Sequence, residues 1–187
     1  MRHVKWTLGF AAAVVLGLWQ STSHAQTSGT ATYTVTQPVP GTYEYDVTLT
    51  NTGSTPIGSF WFGWIPGYDL LPTIPSSVTA PYAWTGASME EGIGGSSVLW
   101  SAGIPLGTGQ SQSGFVFDTT DSPTVMSGTS AFFGLPVRFS YIYSGVAEAP
   151  GTTFGTLTPQ QVTATPEPGT LLLLPAALML VRRRRLQ

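Results

Sequence analysis

From Tyr43 to Thr50 apolar and polar side chains alternate without a break: Tyr43, Tyr45, Val47 and Leu49 fall on one side, Glu44, Asp46, Thr48 and Thr50 on the other. A period of two predicts a half-buried strand whose Glu44 and Asp46 face water. Asn51-Thr52-Gly53-Ser54-Thr55-Pro56 then supplies turn chemistry, and residues 59–65 (SFWFGWI) read as a second strand with aromatics on both faces. On an unbroken strand Trp61 and Trp64 take opposite faces, each packing in a core or an interface, and Gly63 leaves room for a close neighbour. Further strands are expected at 31–36, 97–101, 113–117 and 138–143, separated by loops such as Gly103-Ile104-Pro105-Leu106-Gly107. No stretch keeps a 3.6-residue apolar period long enough to predict a helix in this middle region. The pattern is all-β, a single immunoglobulin-like or jelly-roll-like β-sandwich over residues 26–165.

Composition changes this picture in one way. With 22 Gly and 15 Pro the chain would read as unstructured, but 12% aromatic residues alongside them fit turn-rich β-structure.

Charge is segregated. Arg2, Lys5 and Arg182 to Arg185 lie at the two ends, and between them Arg138 is the single cation against Glu44, Asp46, Asp69, Glu90, Glu91, Asp118, Asp121 and Glu148. An acidic middle repels nucleic acid and anionic membrane surfaces, so no nucleic-acid partner is expected. Both histidines, His3 and His24, are near the start, there is no cysteine, and no lysine follows Lys5. Ser/His/Asp and Cys/His catalysis, His- or Cys-ligated zinc, lysine Schiff bases and disulfides are thereby excluded from the middle, and no cofactor is expected.

The ends carry their own signals. Met1 to Lys5 is basic, Trp6 to Trp19 is almost wholly apolar, and Ser23-His24-Ala25 puts small residues before Gln26. This is the tripartite plan of a signal peptide spanning residues 1–25, with signal peptidase cutting between Ala25 and Gln26. Its apolar run is shorter than the roughly 20 residues a permanent anchor needs.

At the other end the chain reads Pro166-Glu167-Pro168-Gly169, an apolar stretch from Thr170 to Val181 (TLLLLPAALMLV), and Arg182-Arg183-Arg184-Arg185. Residues 166–187 thus resemble the PEP-CTERM sorting domain: a Pro-Glu-Pro motif, a short transmembrane helix and an arginine cluster. The parts cohere physically, since an apolar helix arrests in the inner membrane while the arginines stay cytoplasmic, and Pro166 and Pro168 keep the junction extended for a protease. Thr170 to Val181 gives about 18 Å of helix at about 1.5 Å per residue, against a hydrocarbon core of roughly 30 Å, and Pro175 interrupts it. The resemblance implies an exosortase-type membrane protease that removes the tail during transfer of the protein out of a Gram-negative-type cell, usually one that makes exopolysaccharide.

Three further segments, VTLTNTGSTPIGSFWFGW, APYAWTG and VLWSAGIPLGTGQSQSGFVF, resemble the family 2 carbohydrate-binding modules from about Thr42 to Phe117. The resemblance places Trp84 and Trp100 where that family exposes tryptophans that stack on sugar rings. Two departures stand beside it: Pro38-Val39-Pro40 offers no tryptophan at the family's first surface position, and the usual terminal cysteine pair is missing. Without the family, the same two tryptophans read as core or sheet-edge packing.

Carboxylates supply the remaining candidates. Glu90 and Glu91 are neighbours in a Gly-rich loop, where a glycosidase pair needs carboxyls about 5 Å apart across a sugar. Asp118-Thr119-Thr120-Asp121 offers oxygens for calcium or a solvated turn, without the dense spacing of a calcium loop. Arg138 is placed to pair with a strand carboxylate or to meet an acidic sugar. The sequence therefore leads to an exported, non-enzymatic protein of the cell surface or exopolysaccharide matrix, acting by weak multivalent contact and carrying hydroxyls open to glycan attachment. The alternative is a module that binds polysaccharide through Trp84 and Trp100.

Overall fold

A computed structural model of the chain describes residues 25–131 and 134–162. Most of the expected signal peptide, Pro166 to Pro168, the apolar stretch 170–181 and Arg182 to Arg185 lie outside the described residues. In chain order the elements are β1 (Gly29–Val39), β2 (Thr42–Asn51), β3 (Ile57–Phe62), β4 (Trp64–Ile65), β5 (Tyr68–Asp69), β6 (Ser77–Thr79) and β7 (Trp84–Met89). They continue with β8 (Ile93–Gly94), β9 (Ser97–Leu106), β10 (Ser111–Thr119), a single helical turn α1 (Pro123–Ser127), β11 (Ser140–Tyr143), β12 (Phe154–Leu157) and β13 (Gln160–Gln161). Among the described residues no helix is long and apolar enough to cross a membrane.

The strands form two five-stranded sheets, ordered β13-β1-β2-β10-β6 and β12-β11-β3-β9-β7, and a small third sheet, β4-β5-β8. The expected all-β character holds, with a shared core between the two large sheets that makes them a sandwich. β2 behaves as its alternation dictates: Tyr45, Val47 and Leu49 are buried, and Glu44, Asp46, Thr48 and Thr50 point the other way. Opposite them β3 and β9 contribute Phe60, Phe62, Val98 and Trp100 to the same core. The two layers meet ring to ring, Phe62 5.0 Å from Phe117 and Phe60 edge-on to Phe115 at 5.8 Å, while Phe60 stacks on Trp100 at 5.3 Å and Tyr45 on Phe117 at 5.0 Å within their own sheets. Offset and edge-on aromatic pairs of this kind add to what area burial alone contributes.

The expected single strand over 59–65 is broken. Gly63 takes φ +66°, and a Cβ there would sit 2.8 Å from Leu71, so the close neighbour is Leu71 and the chain turns at the only residue type suited to both demands. Leu70 N then donates to Gly63 O at 2.8 Å, and β4 leaves the main sheet to pair with β5. Gly103 to Leu106, expected as loop, instead extends β9, where Leu106 pairs with Ile57. Residues 138–139 fall before β11, because Phe139 N donates to Pro136 O in a turn.

Candidate functional site

Trp100 and Trp84 are not surface platforms. Trp100 is fully buried and Trp84 is 9% exposed; the Trp100 indole Nε1 donates to Thr79 O at 2.8 Å, and both rings meet Phe115 edge-on at 5.5 and 5.0 Å. The physical reason is register. Trp100 lies directly opposite Phe60 and Gly86, all on the inner face of the second sheet, and a Cβ at Gly86 would meet the Trp100 ring at 2.7 Å. The two faces of Trp100 are thus taken by the core, and the expected sugar contact through these two tryptophans is corrected accordingly.

Trp61 and Trp64 do not take opposite faces either. The break at Gly63 brings them onto the outer side of the second sheet, stacked at 4.4 Å with an interplanar angle of 19°. With Tyr143 they form a second apolar cluster, bordered by Met89, Leu99, Tyr141 and Ala147. This cluster continues outward through Tyr141 to Phe154, whose rings lie 5.7 Å apart.

The acidic candidates separate. Glu90 and Glu91 are exposed, and Glu91 borders a shallow recess of about 190 Å³ with Trp64, Gly67, Gly92 and Glu148. Asp118 Oδ2 accepts from Ser77 Oγ at 2.7 Å. Asp121 is 5% exposed, not a solvated turn: Oδ2 accepts from Thr73 N at 3.2 Å, and its carbonyl accepts from Tyr45 OH at 2.7 Å. These oxygens tie strands together. Among the described residues no group of three or more His, Cys, Asp or Glu is arranged to hold a metal ion. Arg138 Nη1 donates to Met126 O at 3.3 Å, near the end of α1, and its buried Nε has no hydrogen-bond partner among the described residues.

At one end of the sandwich a groove of about 140 Å³ opens between the sheets. Trp84 and Leu106, both core residues, form its floor, and Tyr82, Ile104, Pro105, Gln110 and Gln112 its rim. Tyr82 is 91% exposed and Ile104 63%, so both side chains stand in solvent beside these core residues. A larger recess of about 480 Å³, between Leu70 to Pro72 on one side and Val125, Gly128 to Ala131 and Val137 on the other, is lined by no ionisable side chain among the described residues.

Ala25 and Gln26, the residues flanking the expected signal peptidase cut, are exposed. Gln26 already belongs to the fold, since its carbonyl accepts from Ser54 N at 2.9 Å.

No family model matches the chain, and no curated protein matches it. Among solved structures, the GH20 exo-β-N-acetylglucosaminidase from Vibrio harveyi in complex with N-acetylglucosamine is similar at 14% identity and a TM-score of 0.44. An inactive mutant of that enzyme is similar at 14% identity and a TM-score of 0.45. Each match covers 75% of this chain and 19% of the enzyme, so the chain spans less than a fifth of the enzyme's length. A likeness this slight transfers neither activity nor residues.

Proposed function

We propose that this chain is an exported structural or interaction protein of the cell surface or exopolysaccharide matrix, an immunoglobulin-like or jelly-roll-like sandwich delivered by exosortase-type processing. The observation that carries the reading is the order of parts after the sandwich: Pro166-Glu167-Pro168, the apolar run Thr170 to Val181, and Arg182 to Arg185. Each part has one physical task there. The apolar run halts in the inner membrane, the arginines hold its cytoplasmic side, and the prolines deny the junction a regular helical hydrogen-bond ladder, leaving it open to a protease.

The sandwich suits delivery to the outside. It has no cysteine to oxidise, and exposed Ser and Thr on β1, β7 and β10 offer hydroxyls for glycans. Once the tail is removed, the protein acts by contact in the polysaccharide layer.

Replacing Pro166, Glu167 and Pro168 with alanine and fractionating the host tests this. The variant is expected to accumulate in the inner membrane with its arginine tail attached, and release of mature protein at the unaltered rate refutes the reading.

A further inference from the structure

Pro81 to Trp84 form a turn closed by Trp84 N donating to Pro81 O at 3.0 Å. Its third residue, Ala83, has φ +61°, a region that a side chain makes unfavourable and that glycine would occupy freely. The surroundings enforce it: Ala83 O accepts from Gly103 N at 2.7 Å and from Ile104 N at 3.4 Å. The fit is close, since a Cβ at Gly103 would stand 3.1 Å from that carbonyl. A strained, over-determined turn that holds a tyrosine almost wholly in water points to a use for that tyrosine.

The rim beside Tyr82 is chemically consistent. Gln110 Oε1 accepts from Gly107 N at 2.9 Å, fixing the side chain and leaving Nε2 to donate. Gln112 Nε2 donates to Ser113 O at 3.0 Å, leaving Oε1 to accept. The groove therefore pairs a flat apolar ring with one free amide donor and one free amide acceptor, and none of its lining residues is charged.

We propose that this groove binds a neutral polysaccharide, with a pyranose ring lying on Tyr82 against Ile104 and its hydroxyls meeting Gln110 and Gln112. A pyranose offers an apolar C–H face and equatorial hydroxyls that each donate and accept, and the groove presents the complement of both. An anionic polymer is disfavoured because no cation lines the groove, and the only cation among the described residues, Arg138, is not part of its lining. A protein partner is disfavoured because a specific interface buries roughly 800 Å² per partner, and the exposed large apolar side chains lining the groove are Tyr82 and Ile104 alone. The inference rests on the groove alone and stands apart from the sorting reading.

The test is affinity electrophoresis of the purified full-length protein through gels containing hydroxyethyl cellulose, xylan, mixed-linkage β-glucan, the host's own neutral polymer, or anionic alginate. At least one neutral polymer is expected to retard the protein. Tyr82→Ala should weaken that affinity about tenfold or more, while Tyr82→Trp keeps it. Because Tyr82 is 91% exposed, both variants should keep the parent Tm, so lost retardation reports on binding. Retardation by none of the neutral polymers, by alginate alone, or equally for the parent and Tyr82→Ala overturns the proposal.

Discussion

Asn51 is fully buried, and both of its donors and one of its two acceptor positions are spent on backbone. Nδ2 donates to Thr55 O at 2.8 Å and to Leu106 O at 2.9 Å, and Oδ1 accepts from Gly53 N at 2.9 Å. It thereby turns the chain after β2 and ties one sheet to the end of β9 in the other. Asn51→Ala takes the Nδ2 donor from two carbonyls, each at about 1–3 kcal/mol, while Gly53 N keeps its second acceptor, Ser28 O at 2.9 Å. A loss of about 3 kcal/mol is expected in urea unfolding, and Asn51→Asp should not rescue it, because a carboxylate cannot donate to either carbonyl. That turn is readable in the sequence as Asn-x-Gly, since the chemistry is local. Trp84 and Trp100 are not readable in the same way: period two says which residues share a face, but which face is inner depends on the strand that lies opposite. Tyr82 is harder still, as its neighbours Ile104, Gln110 and Gln112 come from distant parts of the chain.

Among the elements, β2 was legible because one of its faces is polar, whereas β3 has an apolar side chain on each face and is buried throughout. Its interruption at Gly63 depends on Leu71, which no local pattern places there. β6 and β7 carry almost no signal, being short or built of small residues (WTGASM), and exist because β10 and β9 offer them an edge. Two glycines test how elements meet. At Gly58 in β3 a Cβ would come within 2.7 Å of the Gly145 Cα and 3.0 Å of its carbonyl oxygen, and that same carbonyl accepts from Ser59 Oγ at 2.9 Å. Backbone cannot swing aside as a flexible side chain can, so Gly58→Ala should force β3 and the segment after β11 apart at about 2–3 kcal/mol. At Gly41, in the β1–β2 turn, φ is +84° but nothing lies within 4 Å. Gly41→Ala should therefore cost about 1–2 kcal/mol, from backbone strain alone. Urea midpoints of the two variants check the order, and a larger loss at Gly41 would contradict it.

For the molecule as a whole, charge and titration follow from what the sequence lacks. It has no cysteine and its only lysine is Lys5, so between about pH 8 and 12 its tyrosines are the main side chains that titrate. Three of them are buried in the sandwich or against its outer face. Burial pushes the Tyr45 phenol well above its ordinary value, with Tyr33, Asp121 and Tyr43 adding to the effect. Burial also raises Tyr33, partly offset by the Arg138 charge. Tyr143 is pushed up to about 12, mainly by burial and then by the neighbouring Glu148 and Tyr141. In the unfolded chain these phenols ionise near 10.0, while the folded protein keeps their protons. Over that interval the unfolded state binds fewer protons, so stability falls as pH rises. The urea midpoint is expected to stay level from about pH 7 to 9 and to drop steadily from about pH 10 to 12. Tyr143→Phe removes one of the three groups without removing a ring from the stack on Tyr141, and should make the drop shallower. The same slope in Tyr143→Phe as in the parent would show that Tyr143 does not hold its proton through this window.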